Sequence, residues 1–205
     1  SRHPAKIRLI TGLDENYNVL ARKAEILLDS GAYGWGYVVA LSMLGKWSCL
    51  YPCDNQEFTA TSVYTNHIPG GAYRAVGTAQ IHFAMESQID EICKEIDMDP
   101  LEFRLKNSAK VGDELPMGTK IRSWGLEECL AKGAEVFGWE SKKTNKIELE
   151  NPSGMLRGVG MAIGMHHAGL TGLIPTPEGS KCYAEIVESG KIEFRVGVVE
   201  KGQGS

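Results

Sequence analysis

The pattern of hydrophobic and polar positions begins with a period of two. Residues 6–11 have the composition of a strand, the polar run 14–16 favours a turn, and residues 23–29 alternate Lys, Glu and Asp with Ala, Ile and Leu. Alternate side chains point to opposite faces of a strand, so one face of residues 23–29 is predicted to be buried. The short turn predicts that this strand returns antiparallel to the first.

Helical periodicity follows in the middle of the chain. Residues 35–44 are apolar enough for a buried helix that ends near Gly45, and residues 58–64, rich in Thr, Val and Tyr, predict a strand. The strongest helical pattern covers residues 78–96, with apolar side chains on one face and charged side chains on the other. The apolar stripe consists of Ile81, Met85, Ile89, Ile92 and Ile96.

Capping signals bound two further helices. Asp99 is a predicted N-cap, because Pro100 and Glu102 follow it at positions typical of a first helical turn. Residues 124–137 repeat apolar side chains at helical spacing, and Gly138 is placed to close that helix.

The last quarter of the chain has a different pattern. Residues 157–163 alternate large apolar with small side chains, and a hairpin is predicted around Ser189 and Gly190. We therefore predict an α+β fold of mixed sheets with packed helices. Its parts are residues 1–140, a polar linker at 141–152, and the first strands of a second part at 153–205.

The composition is that of an ordinary globular protein. The 205 residues are 42% hydrophobic and 23% charged, with a formal net charge of −4, which excludes disordered, collagen-like and disulfide-scaffold classes. The longest apolar stretch, residues 37–44, is too short for a bilayer and follows no basic segment, so we expect neither a membrane span nor a signal peptide. Without a dense Lys or Arg block, nucleic acid is not an expected partner.

The five cysteines indicate a reducing compartment. Their odd number and unpaired spacing favour free thiols in the core of a cytoplasmic protein, and they complete no zinc motif. They are Cys49, Cys53, Cys93, Cys129 and Cys182. The chain starts without Met and stops inside a glycine-rich turn, so we interpret it as a piece of a longer polypeptide.

The segment 69–78 (Pro-Gly-Gly-Ala-Tyr-Arg-Ala-Val-Gly-Thr) carries the clearest candidate chemistry. Its glycines let a ligand approach the backbone, and it leads into the N-terminus of the strongest helix, whose free N–H groups favour an anion. Arg74 adds a forked donor suited to phosphate or an oxo group. The alternative is a tight turn with a surface arginine.

The order of motifs resembles the molybdenum hydroxylase family, the group of xanthine dehydrogenase and aldehyde oxidase, in its large molybdopterin-binding subunit. In chain order, the matching motifs are 2–5 (Arg-His-Pro-Ala), 28–33 (Leu-Asp-Ser-Gly-Ala-Tyr), 71–74 (Gly-Ala-Tyr-Arg), 83–86 (Phe-Ala-Met-Glu), 103–107 (Phe-Arg-Leu-Lys-Asn) and 202–204 (Gly-Gln-Gly). They span nearly the whole chain, so the resemblance implies a truncated molybdopterin-binding domain of this type.

The resemblance implies a cofactor site made of two glycine-rich turns. The first is formed by Gly71, Ala72, Tyr73 and Arg74, and the second by Gly202, Gln203 and Gly204. The cofactor is then molybdenum on molybdopterin, in its cytosine dinucleotide form. The 2Fe-2S and FAD centres lie on other domains or subunits, which with the remainder of the molybdopterin-binding subunit are the implied partners.

The expected substrate is a small molecule, and three departures from the family pattern limit the chemical class to which it belongs. Ala75 stands where the CO dehydrogenase branch has a copper-bearing Cys, and Val76, a substrate-pocket position, stands where purine hydroxylases have an aromatic residue. Residues 41–43 (Leu-Ser-Met) lack the substrate-orienting Arg of those enzymes. The resemblance thus implies an aldehyde or another N-heterocycle rather than xanthine itself.

No catalytic residue is expected within the chain, since the family's catalytic Glu would follow Ser205. The isolated chain is therefore predicted to be inactive. The parent is expected to hydroxylate carbon with water-derived oxygen. The alternative is a non-catalytic module in which the same turn binds an anion or a partner's carboxylate.

Two histidine positions are weaker candidates. His166 and His167 lie near the end of a predicted strand, as channel residues or with one ring in the core. His82 and Glu86 lie one helical turn apart and would share a metal or form a buried hydrogen-bonded pair. Glu86 lies beside the apolar stripe, which indicates a buried carboxylate whose partner the sequence does not identify.

Overall fold

The computed structural model describes residues 2–34, 36–115, 118, 120–144, 158–166 and 179–200. The chain divides into two compact units, residues 1–165 and 166–205. The predicted linker at 141–152 concerns two halves of a longer subunit and stays a prediction, because residues 145–152 lie outside the described residues.

A three-stranded sheet forms one layer of the first unit. Its strands are β1 (Ala5–Leu13), β2 (Val19–Asp29) and β3 (Asn55–Val63), in the order β1-β2-β3. The predicted hairpin is confirmed, since β1 and β2 pair antiparallel and Ala24 and Leu28 of β2 are fully buried. β3 pairs parallel to β2, which requires a crossover, and helix α1 (Gly36–Leu50) provides it.

Helix α1 extends further than the sequence predicts. The expected end near Gly45 is wrong, because the helix continues to Leu50 and residues 45–50 are all buried. A glycine inside a helix costs about 1 kcal/mol relative to alanine. Burial of Trp47 and Leu50, each worth about 1.5–3 kcal/mol, outweighs that cost.

The other helices are α2 (Thr78–Glu95), α3 (Pro100–Asn107), α4 (Leu126–Phe137) and α5 (Trp139–Thr144). The apolar stripe of α2 packs on the core, with Ile81 and Met85 fully buried. The predicted N-cap is confirmed, because Asp99 Oδ1 accepts the N–H of Leu101 at 2.7 Å. Gly138, in the left-handed conformation, closes α4 as expected, and α5 then covers the first residues of the predicted linker.

The strand predicted over residues 157–163 is not formed in its described part. Residues 158–166 have no strand pairing; instead Ile163 is buried in the core, and Met161 and Met165 pack against it. An alternating pattern of apolar and small residues indicates that every second side chain is buried. A segment that packs on the core without pairing to another strand produces the same pattern.

The second unit contains the predicted hairpin, formed by β4 (Cys182–Ile186) and β5 (Ile192–Val196) paired antiparallel. Gly190 has a φ of 78°, which suits the turn between them. Within the described ranges, no helix is long and apolar enough to cross a membrane.

Candidate functional site

The glycine-rich segment 69–77, which we call the entry turn, leads directly into α2. Gly77 is the N-cap of α2, with a φ of 71° and no side-chain cap. A Cβ there would lie 2.8 Å from Met43 Cγ and 2.9 Å from Val39 O, so α1 packs too closely for any other residue. Ala75 has a φ of 58°, a conformation that costs an L-residue about 1 kcal/mol. The entry turn is thus a strained backbone held against α1.

The outer face of the entry turn is open. Gly71, Ala72, Tyr73 and Arg74 are all exposed, and a Cβ added at Gly71 would meet nothing within 4 Å. The structure therefore places the first predicted set of site residues together on one accessible surface. Val76, the predicted substrate-pocket residue, is half-buried behind them.

Three consecutive carbonyls of the entry turn accept hydrogen bonds from side chains elsewhere in the chain. Arg2 Nη2 donates to Arg74 O at 2.8 Å, Arg2 Nη1 donates to Ala75 O at 3.4 Å, and Ser42 Oγ donates to Val76 O at 2.6 Å. In a trans peptide the N–H points opposite to the C=O. The N–H groups of residues 75–77 therefore point away from these side chains.

Those N–H groups are three consecutive backbone donors. Among the described residues, none of the N–H groups of residues 75–77 donates to a protein acceptor. Consecutive amides around left-handed residues create an anion-binding concavity, and the positive end of the α2 dipole adds to it. With the exposed guanidinium of Arg74, this donor set fits an anionic ligand with oxygen acceptors, such as a phosphate-bearing pterin.

His3 packs beneath the start of the entry turn. Its ring is 1% exposed, and a Cβ at Gly70 would lie 2.8 Å from His3 Cγ. Burial lowers the pKa of His3, partly opposed by the charge of Asp29, so the imidazole is neutral at pH 7. Gln80 Nε2 donates to His3 O at 3.2 Å, which links this residue to the first turn of α2.

The end of β2 anchors the segment before the entry turn. Asp29 accepts hydrogen bonds from Thr65 Oγ1 at 2.6 Å, the Gly31 N–H at 2.8 Å and His67 Nδ1 at 2.6 Å. These bonds, with Thr65 the largest contributor, lower the pKa of Asp29 to about 2. Gly31 has a φ of 70°, and a Cβ there would lie 2.6 Å from Pro69 Cα.

Glu86 is the buried carboxylate that the sequence indicates, and the structure identifies its partners. It accepts hydrogen bonds from Arg104 Nε at 2.9 Å, Tyr51 Oη at 2.8 Å and the Ile163 N–H at 2.9 Å. The indication of a buried carboxylate is therefore correct, whereas the predicted pair with His82 is wrong, because the bonds to Glu86 come from Arg104, Tyr51 and Ile163. Within the described residues, no group of side chains suits a metal. Arg104, fully buried, belongs to the 103–107 motif, but its sequence position does not reveal its partner.

Several residues that support the entry turn are not evident as such from the sequence. Arg2 belongs to the N-terminal motif, and Ser42 lies in the 41–43 segment, whose only sequence signal is a missing arginine. Lys46 lies one helical turn after Ser42 and is 2% exposed. The sequence signal for Lys46 is a lysine inside an otherwise apolar helical stretch.

The structure describes only some of the other residues that the sequence analysis singles out. The second predicted turn, residues 202–204, lies outside the described residues, as does His167. Cys49 and Cys93 are buried as expected, whereas Cys129 and Cys182 are exposed. The expectation of core thiols is wrong for those two, because they lie on solvent-facing positions of α4 and β4.

Comparisons with known proteins bear on the whole chain. A family model described as a molybdopterin cofactor-binding domain matches residues 1–108. The chain is 32% identical over 208 residues to the xanthine dehydrogenase molybdenum-binding subunit of Escherichia coli, covering 100% of this chain and 27% of that protein. It is 28% identical over 205 residues to an aldehyde oxidoreductase of Megalodesulfovibrio gigas, covering 100% of this chain and 22% of that protein.

The solved structures show the same relationship. The aldehyde oxidoreductase from Desulfovibrio desulfuricans superposes with a TM-score of 0.81 and 28% sequence identity, covering 94% of this chain and 21% of that chain. The α+β fold is therefore that of the corresponding part of this aldehyde oxidoreductase. The chain spans about a quarter of the length of the curated relatives it matches.

Proposed function

This chain belongs to the molybdopterin cofactor-binding domain family, and from that premise we propose that its entry turn holds the molybdenum cofactor of a larger oxidoreductase. The observation that carries the proposal is the orientation of the turn: its carbonyls accept hydrogen bonds from Arg2 and Ser42, so the amides of residues 75–77 point away from those side chains and are available to a ligand. Such preorganised donors bind an anion without reorganisation.

The residues of the turn have separate roles in this proposal. Arg74 supplies a fixed positive charge and forked N–H donors to the anionic cofactor. Gly71 leaves room for close approach of the ligand to the backbone. Tyr73 is 59% exposed, and the Arg2 guanidinium lies 4.8 Å from its ring centroid, which holds the ring at the edge of the site. When bound, the cofactor supplies the redox and oxygen-transfer chemistry.

Finer parts of the proposal rest on the family resemblance. Gly202, Gln203 and Gly204 form the second cofactor contact, and Val76 borders the substrate. The cofactor is the cytosine dinucleotide form, and the substrate is an aldehyde or an N-heterocycle hydroxylated with water-derived oxygen. Electrons pass to 2Fe-2S and FAD centres on other domains or subunits of a cytoplasmic enzyme, joined by the remainder of the molybdopterin-binding subunit.

The experiment is metal analysis and pterin release on the intact subunit that carries this chain, purified from its own source. We expect about one molybdenum per subunit and a fluorescent pterin after oxidation. Arg74→Ala is expected to lower both together. Arg8→Ala is the matched control, because Arg8 is an exposed arginine of β1 that pairs with Glu25 on the surface, away from the entry turn.

Absence of molybdenum and pterin from matured wild-type protein would contradict the proposal. The non-catalytic module would then be the better interpretation, with the same donors binding a phosphate or a carboxylate. Unchanged cofactor content in Arg74→Ala would remove Arg74 from the site while leaving the family assignment intact.

A further inference from the structure

A buried lysine lies behind the entry turn. Lys46 is 2% exposed, and its Nζ donates a hydrogen bond to Ser42 Oγ, one helical turn earlier in α1. Among the described residues, no carboxylate lies within ion-pair distance of Lys46. A buried cation without a counter-charge is costly, so its position calls for an explanation beyond packing.

The hydrogen-bond directions are fixed by the chemistry of the two groups. An ammonium has three donors and no lone pair, so Lys46 can only donate to Ser42 Oγ. The single hydroxyl hydrogen of Ser42 is then directed to its other neighbour, Val76 O, at 2.6 Å. A serine in a helix otherwise tends to donate to the carbonyl four residues earlier, which in α1 is Val38 O. The ammonium thus favours the bond to Val76.

We propose that Lys46 is a positioning residue for the cofactor site: through Ser42 it fixes the Val76–Gly77 peptide, so that the Gly77 amide faces the ligand. This inference rests on the proposed function of the entry turn. The buried charge also acts across a short, poorly solvated path, so it adds positive potential on the inner side of an anion site.

Protonation governs this arrangement. Burial lowers the pKa of Lys46 from 10.5 to about 8, opposed by the nearby Cys49. At pH 7 the group is therefore still an ammonium and keeps the direction of the hydrogen bonds. The neutral amine has a lone pair besides its two N–H groups, so it can accept from Ser42 Oγ and compete with Val76 O for the hydroxyl hydrogen.

The test uses Lys46→Met and Ser42→Ala in the intact subunit, with Lys94→Met as the control for an exposed lysine on α2. Methionine keeps the apolar stem and removes a buried charge, so the variant is expected to unfold at the same or a higher temperature. The first measurement is hydrogen exchange of the Thr78 and Ile81 amides in cofactor-free protein, because these donate to Ala75 O and Gly77 O.

We expect both amides to exchange about fivefold faster in Lys46→Met and in Ser42→Ala, as loss of about one hydrogen bond predicts. The double variant should add nothing further, because both residues act through one bond. The second measurement is molybdenum and pterin content, which should fall in the same variants and not in Lys94→Met.

The role of Lys46 and the proposed function of the entry turn can be refuted independently. Unchanged exchange in Lys46→Met would overturn the role of Lys46, whatever the metal content. A change in Ser42→Ala alone would assign the position of the turn to Ser42 and overturn the role of Lys46 as well. A wild-type subunit without molybdenum or pterin would overturn the proposed function, while the exchange data would still decide the role of Lys46.

Discussion

Arg2 holds the backbone of Arg74 although 72 positions separate them: its Nη2 donates to Arg74 O at 2.8 Å. The same guanidinium reaches Ala75 O at 3.4 Å and lies over the ring of Tyr73. One side chain from the start of the chain therefore holds three consecutive residues of the entry turn. Because Ala75 is in the left-handed region, this contact also maintains a strained conformation.

Replacement of Arg2 should release the entry turn. We expect Arg2→Ala to lower molybdenum and pterin content of the intact subunit, with a loss of stability of only about 1 kcal/mol, since the bonds lie near the surface. Arg2→Lys should restore part of the content, because an ammonium can reach one carbonyl but not two. Arg8→Ala, the exposed control, should leave the content unchanged; equal losses in both variants would refute a specific role for Arg2.

Gly77 should tolerate no side chain. Gly77→Ala combines a left-handed φ with contact to Met43 Cγ at 2.8 Å, so we expect a loss of about 2–4 kcal/mol in unfolding free energy. Gly133→Ala, in an exposed position of α4 with nothing within 4 Å, should instead gain up to about 1 kcal/mol. Denaturant unfolding measures both, and a neutral Gly77→Ala would show that the turn does not need this conformation.

The pair formed by Glu86 and Arg104 should be costly to break. Glu86→Gln removes the buried carboxylate that pairs with the fully buried guanidinium and leaves only the half-exposed Asp90, so we expect about 3–5 kcal/mol of destabilisation. The exchange of the Ile163 amide should also accelerate, because that amide donates to Glu86 Oε2. Glu91→Gln, an exposed position on the same helix, should change neither. A Glu86→Gln variant as stable as wild type would mean that Asp90, 2.9 Å from Arg104 Nη2, compensates the charge alone.

Protonation of Asp29 at low pH should destabilise the segment before the entry turn. Its pKa is lowered from 3.8 to about 2 in the folded protein, so the carboxylate stabilises the fold above pH 4. As pH falls from about 4 to about 2, the unfolded state binds the proton first and this contribution is lost. We expect the melting temperature of wild type to fall faster over this window than that of Asp29→Asn. If the melting temperatures of wild type and Asp29→Asn fall equally with pH, Asp29 does not contribute to the acid dependence of stability.

Much of the local structure follows from short-range sequence patterns. The stripe from Ile81 to Ile96 predicts α2, the Asp99 side chain predicts the start of α3, and the glycine at 138 predicts the end of α4, because periodicity and capping involve neighbours within one or two turns. Such local patterns do not predict the end of α1. Burial of Trp47 by residues distant in the sequence outweighs the low helix propensity of Gly45.

The sequence by itself determined the order of motifs, and with it the family and the location of the entry turn at residues 69–77. The tertiary structure decided what holds that turn. Arg2 lies at the start of the chain, and Ser42 and Lys46 both lie on α1. They reach the turn only because the β1-β2 hairpin and the crossover through α1 bring these two parts of the chain to one helix end. The partners of a buried polar group depend on which distant parts of the chain the fold brings together. The spacing of residues along the sequence does not contain that information.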